Sequence, residues 1–122
     1  MKISIVICTY NKAKWLNSVL MNLNNQTLDR SLFEVCLIID GSTDSTVEML
    51  KKIHLNYNFK YIEINKAGLT YARNVGIEAS KGDYILFCDD DVIYADNFLS
   101  ELILSIYKSP SSVHIGNIEN IS

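Results

Sequence analysis

The sequence predicts a doubly wound α/β domain, a mostly parallel open sheet with helices on both faces. Two observations support this prediction. Apolar runs of strand length alternate along the chain with stretches of helical periodicity, and most of these runs are almost continuously apolar, as in strands buried on both faces. Each run is separated from the next by enough residues for a helical crossover, so parallel pairing is expected. Right-handed crossovers then cover both faces of the sheet.

Strands are predicted where apolar residues run together or alternate with polar ones. The first, second and fourth runs are nearly all apolar, whereas the third alternates around Lys60 and Glu63. The fifth run follows Pro110, which ends the preceding connection. In chain order the predicted strands are residues 3–8, 33–39, 59–64, 84–88 and 113–115.

Four helices are predicted between these strands, because apolar residues recur there every three to four positions. The first ends at a polar cluster, residues 24–27, and the third ends at residues 81–83. We expect Ser45 and Glu48 to form a capping box at the start of the second helix. The apolar faces are, in helix order, Trp15, Leu16, Val19, Leu20 and Leu23; Val47, Leu50 and Ile53; Leu69, Ala72, Gly76 and Ala79; and Phe98, Leu99, Leu102, Ile103 and Ile106.

Composition narrows the class of protein. The chain has 122 residues, 48% of them hydrophobic and 20% charged, which is typical of one ordered globular domain. A net charge of -3 disfavours a nucleic-acid-binding surface, and no apolar stretch approaches the length of a membrane span. Cys8, Cys36 and Cys88 lie in apolar runs, and no signal-peptide pattern precedes the first strand. We therefore expect a cytoplasmic protein, which could lie peripherally at the inner membrane face.

Polar side chains follow three of the predicted strands at the point where each strand ends. In open α/β sheets, ligands bind outside the carboxyl ends of the strands, where the strand order reverses. A strand order of 3-2-1-4 would make the first and fourth strands neighbours at that point. The polar residues gathered at this edge would then be Cys8, Thr9, Tyr10, Asp40, Asp89, Asp90 and Asp91.

Three consecutive carboxylates, at residues 89–91, predict a divalent-cation site. Crowded like charges repel one another unless a positive charge lies among them, and oxygen ligands suit Mg²⁺ or Mn²⁺. A solvated acidic turn is the alternative.

The kind of ligand can be narrowed by the motifs that are missing. Neither the dinucleotide glycine motif nor the Walker motif is present. An acidic edge would hold a diphosphate only through a cation, so we expect a metal-bridged diphosphate whose organic part meets Tyr10 and Asp40.

Four segments of the chain, in order and spanning nearly its whole length, resemble family 2 glycosyltransferases. They are Val-Ile-Cys-Thr-Tyr-Asn at 6–11, Ile-Ile-Asp-Gly-Ser-Thr-Asp at 38–44, Ala-Arg-Asn-Val-Gly at 72–76 and Phe-Cys-Asp-Asp-Asp at 87–91. The resemblance implies the GT-A fold and transfer of a sugar from a nucleoside-diphosphate sugar, with a UDP-sugar as the expected donor. The acceptor, a saccharide or lipid-linked saccharide, is not identified. Many relatives have an acid at Ile39 and a proline at Cys8.

The same resemblance implies roles for the residues that bind the nucleotide. Cys8, Thr9 and Tyr10 would line the base pocket, and Asp40 would accept a hydrogen bond from the base. Arg73 would lie near the nucleotide. Alternatives exist for three of these residues: Asp40 could form an Asx turn, Tyr10 could be a rim aromatic, and Arg73 could pair with Glu78 or Asp83.

The resemblance also implies a metal site and a division of the protein. Asp89 and Asp91 form the Asp-x-Asp motif and are the expected residues for Mn²⁺ or Mg²⁺, while Asp90 would face the ribose. Residues 1–122 would be a single domain, the donor-binding half of a glycosyltransferase. The acceptor-binding half and the general base are expected beyond Ser122.

Two other classes of protein remain open from the residues alone. A receiver-type phosphoacceptor domain is also doubly wound and acidic, but its paired acids follow the first strand, where this chain has residues 8–10. A non-catalytic module that binds a nucleotide sugar would share every motif above. A calcium loop starting at Asp89 does not fit, because apolar Ile93 falls at a ligand position.

Overall fold

The computed structural model describes residues 1–108, which form a parallel sheet covered by helices. The predicted fifth strand, at 113–115, lies outside the described residues. The elements, in chain order, are β1 (Ile3–Thr9), α1 (Ala13–Leu23), a short 3-10 helix (Arg30–Leu32), β2 (Phe33–Asp40), α2 (Thr46–Lys52), β3 (Asn58–Ile64), α3 (Leu69–Ala79), β4 (Tyr84–Cys88) and α4 (Phe98–Lys108).

The four strands pair in the order β3-β2-β1-β4, and all three pairings are parallel. Ile7 on β1 lies between Leu37 on β2 and Cys88 on β4. The carboxyl ends of β1, β2 and β4 therefore meet at one edge of the sheet, called the carboxyl edge below. This confirms the predicted fold class and the strand order that brings the polar residues together.

Helices cover both faces of the sheet, and alternate strand residues point to opposite faces. One face holds the main core, where β1 and β2 pack with α1 and α4. On the other face α3 packs against β1 and β2 so closely that a Cβ on Gly76 would lie 2.4 Å from Val6 Cγ1. The main core includes Ile3, Ile5, Ile7, Leu16, Leu20, Phe33, Leu37, Ile39, Leu99 and Ile103.

Three expectations about helix faces and ends are wrong. Ser45 makes no side-chain bond at the start of α2; instead Asp44 Oδ1 accepts from the Thr46 N–H at 3.1 Å, because a carboxylate is the stronger acceptor for a helix N-terminus. Trp15 and Leu69 are exposed rather than buried in the apolar faces. Trp15 lies beside the buried stripe of α1, and Leu69 is the first residue of α3, at the carboxyl edge.

Within residues 1–108 no helix combines the length and apolarity that crossing a bilayer requires, and the longest helices have 11 residues.

Candidate functional site

The ends of β1 and β4 are joined by a buried hydrogen bond between two predicted site residues. Thr9 Oγ1 donates to Asp90 Oδ2 at 2.8 Å, and both residues are buried. Burial raises the pKa of the Asp90 carboxyl above its usual value, because the bond from Thr9 and the charge of Lys12 only partly offset the lost hydration. Asp90 is therefore an under-compensated buried acid at the centre of the carboxyl edge.

Lys12, which the sequence pattern does not single out, supplies the positive charge among the carboxylates. Its Nζ lies 3.2 Å from Asp91 Oδ2 and 3.8 Å from Asp90 Oδ1. The hydrogen bond to Asp91 and the charge of Asp90 raise the pKa of Lys12. The Lys12 side chain is 44% exposed and that of Asp91 is 36% exposed, so this ion pair faces solvent. The sequence feature that could have indicated this role is the position of Lys12, three residues after the end of β1 and so close to the carboxyl edge.

The three carboxylates do not form a complete metal cage by themselves. Among residues 1–108 no group of three histidine, cysteine or acidic side chains is arranged to hold a metal ion. Asp89 is exposed, and its backbone N–H donates to Tyr94 Oη at 3.4 Å. Mg²⁺ is usually held by only one or two carboxylates together with substrate phosphates. The partly exposed carboxylate of Asp91 fits that arrangement if the Lys12 ammonium moves aside.

Asp40, at the end of β2, is buried and held by the loop that precedes α3. Asp40 Oδ1 accepts from the Ala67 N–H at 2.8 Å, and Oδ2 accepts from the Gly68 N–H at 3.1 Å and from Lys66 Nζ at 3.3 Å. Burial alone would raise the pKa of Asp40, but these hydrogen bonds outweigh it and lower the pKa. The carboxylate is bonded to residues 66–68 rather than folded into an Asx turn of its own loop.

Lys66, also missed by sequence reasoning, contacts both residues predicted to meet the base. Its Nζ lies 4.1 Å from the ring centroid of Tyr10 as well as 3.3 Å from Asp40 Oδ2. A Cβ on Gly41, where φ is +75°, would lie 2.8 Å from Lys66 N. The glycine therefore lets the loop approach β2. Nothing in the local sequence distinguishes Lys66 from the other lysines.

Cys8, near the end of β1, is under the influence of charges from three neighbouring parts of the site. Burial raises the pKa of its thiol to about 11; the charge of Arg73 acts in the opposite direction, and those of Asp40 and Asp90 add to the increase. The Cys8 thiol is consequently neutral at physiological pH, so this half-buried residue lines the site and does not act as a thiolate nucleophile.

Arg73 lies on α3, and its charge reaches the end of β1. Its guanidinium carbon is 5.2 Å from the ring centroid of Phe87 on β4, and its charge acts on the Cys8 thiol. In the described part of the chain it forms no ion pair with Glu78 or Asp83. Arg73 is exposed and its charge is available to an anionic ligand.

Asn11 fixes the two loops that flank the site, a role that sequence reasoning missed. It has a φ of +51°, which asparagine tolerates better than most residues. Its N–H donates to Ser42 Oγ at 3.0 Å, and its Oδ1 accepts from the Thr43 N–H at 2.7 Å and the Asp44 N–H at 3.2 Å. The loop carrying Tyr10 is thereby tied to the loop after β2.

A cavity of about 660 Å³ opens at the ends of β2 and β3, beside the loop that holds Asp40. Its walls include Gly41, Ser42, Glu63, Asn65 and Tyr71. The carboxyl edge therefore combines a concave space with polar and aromatic side chains, which is the usual form of a small-molecule site.

The fold defines a doubly wound α/β protein, and its candidate ligand site lies at the carboxyl ends of the strands. The chain belongs to glycosyl transferase family 2, whose family model matches residues 4–122. It is 36% identical, over its whole length and 20% of the relative's, to the poly(ribitol-phosphate) beta-glucosyltransferase of Bacillus spizizenii. It is 32% identical, over 97% of the chain and 39% of the relative, to the glycosyltransferase GlyG of Streptococcus pneumoniae. The chain spans 20% and 39% of the length of these two curated relatives.

Solved structures agree with this assignment. Residues 1–349 of Staphylococcus aureus TarS in complex with UDP-GlcNAc match with a TM-score of 0.81 and 30% identity, over 88% of this chain and 32% of that one. The mannosyltransferase PcManGT of Pyrobaculum calidifontis, in complex with GDP-Man and Mn²⁺, also matches with a TM-score of 0.81, over 86% of this chain and 32% of that one. At 22% identity the second match shows the fold alone. The expected family and GT-A architecture are confirmed.

Proposed function

We propose that this chain is the donor-binding part of a glycosyltransferase that uses a nucleoside-diphosphate sugar, with a UDP-sugar as the favoured donor. The observation that supports this most strongly is the meeting of Tyr10, Asp40, Asp90 and Asp91 at one edge of the sheet. The UDP-GlcNAc complex of TarS supports a UDP-sugar.

Each predicted binding residue has a proposed position around the donor. Tyr10 and Asp40 contact the base, and half-buried Cys8 forms a wall of the pocket. Thr9 is buried and bonded to Asp90, so it positions that carboxylate rather than touching the base. Asp90 accepts a hydrogen bond from a ribose hydroxyl. The exposed guanidinium of Arg73 attracts the diphosphate.

The proposed metal site centres on Asp91, with Asp89 as the second carboxylate of the motif. Asp91 has a solvent-facing oxygen whose present partner is an exchangeable ammonium, that of Lys12. A bound Mn²⁺ or Mg²⁺ would supply Lewis-acid neutralisation of the diphosphate leaving group. Lys12, once released, remains at the same edge and can pair with a phosphate oxygen.

The whole protein is proposed to transfer the sugar to a saccharide or lipid-linked saccharide, with the general base beyond residue 122. This rests on the named activities of the relatives, since the chain covers only part of their length. We propose a cytoplasmic location because all three cysteines are free thiols, which suits a reducing compartment.

Calorimetric titration of the chain with UDP, with and without Mn²⁺, tests the proposal. We expect saturable binding with Mn²⁺ and much weaker binding without it, because the acidic edge repels an unneutralised diphosphate. Absence of affinity for any nucleoside diphosphate, or an affinity that does not depend on metal, would contradict the proposal.

A turnover assay separates a transferase from a module that only binds. The chain is incubated with radiolabelled UDP-sugar, Mn²⁺ and candidate saccharide acceptors, and labelled product is separated from the donor. Binding with neither transfer nor acceptor-stimulated loss of the donor would favour the binding module for these residues.

A further inference from the structure

Lys66 occupies the place where the base of a bound nucleotide is proposed to lie. Its ammonium lies 4.1 Å from the centroid of the Tyr10 ring, where a base would stack, and 3.3 Å from Asp40 Oδ2. Tyr10 is otherwise exposed, and within the described residues no aromatic ring stacks on it. A base that stacks on Tyr10 must therefore move this ammonium.

Of the three donors on Asp40, the Lys66 ammonium is the one that can leave. The other two are the backbone N–H groups of Ala67 and Gly68, held where the loop enters α3. The Lys66 side chain is 55% exposed, and its bond is the longest of the three. Displacing it frees one acceptor position on Asp40 Oδ2 while the carboxylate itself stays fixed.

The displaced ammonium stays within one side-chain length of its present position, because the Lys66 backbone is packed against Gly41, the residue that follows β2. A Cβ on Gly41 would lie 2.8 Å from both the backbone N and the Cβ of Lys66. Only the flexible end of the side chain is free to move. The ammonium can consequently reach a group that replaces it on Asp40.

We propose that Lys66 is a specificity-determining residue of the donor site, an inference that rests on the proposed function. Asp40 accepts a hydrogen bond from the ring N–H of the base, and the Lys66 ammonium donates to the adjacent base carbonyl. Uracil presents this pattern, an N–H beside a C=O. In the same pose cytosine presents the reverse, a bare ring nitrogen towards Asp40 and an amino group towards Lys66. A site built for one pattern disfavours the other, because the buried Asp40 carboxylate and the covered Lys66 ammonium would be left unpaired against the base.

The test compares UDP with CDP, which differ only in the base, in calorimetric titrations with Mn²⁺ present. The variants are Lys66→Met, which keeps an apolar stem without the charge, and Lys66→Arg, which keeps a donor. Lys12→Met is the matched control, because it removes one positive charge from the same edge, near the diphosphate. Thermal melting of each variant checks that the fold is retained.

We expect the native chain to prefer UDP, and Lys66→Met to lower the ratio of UDP to CDP affinity by roughly tenfold. Lys66→Arg should keep most of the preference. Lys12→Met should change both affinities by the same factor and leave the ratio intact. An unchanged ratio in Lys66→Met overturns the inference, as does an equal rise in both affinities, which would make Lys66 only a competitor of the base.

Failure of the proposed function gives a different result. If the native chain binds neither ligand in the presence of Mn²⁺, the role of Lys66 is wrong, and if it binds no other nucleoside diphosphate either, the donor site is wrong as well. If it binds UDP and CDP equally well, the donor site stands and the role of Lys66 is wrong.

Discussion

Two buried acids lie at opposite ends of the sheet's strands, and the cost of burying their charge is offset to different degrees. The amino-terminal ends of the strands are called the amino edge. Glu34 lies at the amino edge and Asp90 at the carboxyl edge, with exposures of 2% and 8%. Each accepts a hydrogen bond from a β1 hydroxyl, at 2.5 Å from Ser4 and 2.8 Å from Thr9. The pKa of Glu34 is nevertheless lowered, whereas that of Asp90 is raised.

The difference lies in the remaining donors. Burial alone would raise the pKa of Glu34, but the Ser4 hydroxyl, the Lys81 N–H at 2.7 Å and the Lys60 ammonium at 3.6 Å outweigh it. For Asp90 the Thr9 hydroxyl, its own backbone N–H and the Lys12 ammonium, at 3.8 Å, do not outweigh burial. Glu34 therefore keeps the Ser4 and Lys81 donors in addition to its lysine. Asp90 relies more on Lys12, an exposed lysine that a ligand or cation can replace.

The largest effect is expected for Asp91→Asn. Replacing the carboxylate by an amide removes the charge that the cation needs, so UDP affinity in the presence of Mn²⁺ should fall by about a hundredfold or more. Stability should be unchanged or slightly increased, because charge crowding is relieved. The measurement is calorimetric titration with UDP and Mn²⁺.

Asp83→Asn is the matched control for that change, because Asp83 is an exposed acid at the opposite edge that accepts a bond from the Lys2 N–H at 2.9 Å. It should leave UDP affinity unchanged. Equal losses in both variants, or a collapse of the fold in Asp91→Asn without metal, would show that Asp91 is structural.

Glu34→Gln should destabilise the fold more than any of the other single substitutions. The amide cannot accept from Ser4, Lys81 and Lys60 as the carboxylate does, and a buried network is left incomplete. We expect the free energy of unfolding to fall by about 2 kcal/mol, with UDP binding intact at temperatures where the variant is folded. Urea denaturation measures the loss.

Asp90→Asn is the matched change at the other edge. Because burial of the Asp90 charge is under-compensated, its removal should leave the free energy of unfolding unchanged or raise it by up to about 1 kcal/mol. If Asp90→Asn lowers the free energy of unfolding as much as Glu34→Gln does, the proposed difference between the two acids is wrong.

A smaller effect is expected from pH. The lowered pKa of Glu34 gives a stabilisation that is fully present above its unfolded pKa, 4.5, and is lost as the pH falls through the lower folded value. Stability should therefore decline below about pH 4.5, and less steeply in Glu34→Gln. The stability of the variant should still decline as the pH falls, because the pKa values of Asp40 and Asp44 are also lowered. If the free energy of unfolding falls with pH equally steeply in the native chain and in Glu34→Gln, Glu34 does not contribute the stabilisation described here.

The fold could be predicted from the sequence because its signals are local. Nearly continuous apolar runs marked β1, β2 and β4, and the carboxyl ends of parallel strands necessarily share an edge. The acids could be placed at the carboxyl edge for the same reason, since they stand at or just after the ends of β2 and β4.

The partners of those acids could not be predicted, because they come from distant parts of the chain. Lys12 is separated from Asp91 by 79 positions and Lys66 from Asp40 by 26. A lysine in a loop has no local pattern that tells which acid its flexible side chain will reach. The capping box failed in a related way, since Asp44 beside the expected cap was the better acceptor.

A crystal structure of the chain with UDP and Mn²⁺ tests the central claim most directly. We predict density for the metal about 2 Å from an Asp91 oxygen and from the diphosphate, with the Lys12 ammonium moved off Asp91. The base should lie on Tyr10. Density for UDP elsewhere, or Lys12 still bonded to Asp91 with no metal beside it, would contradict the account.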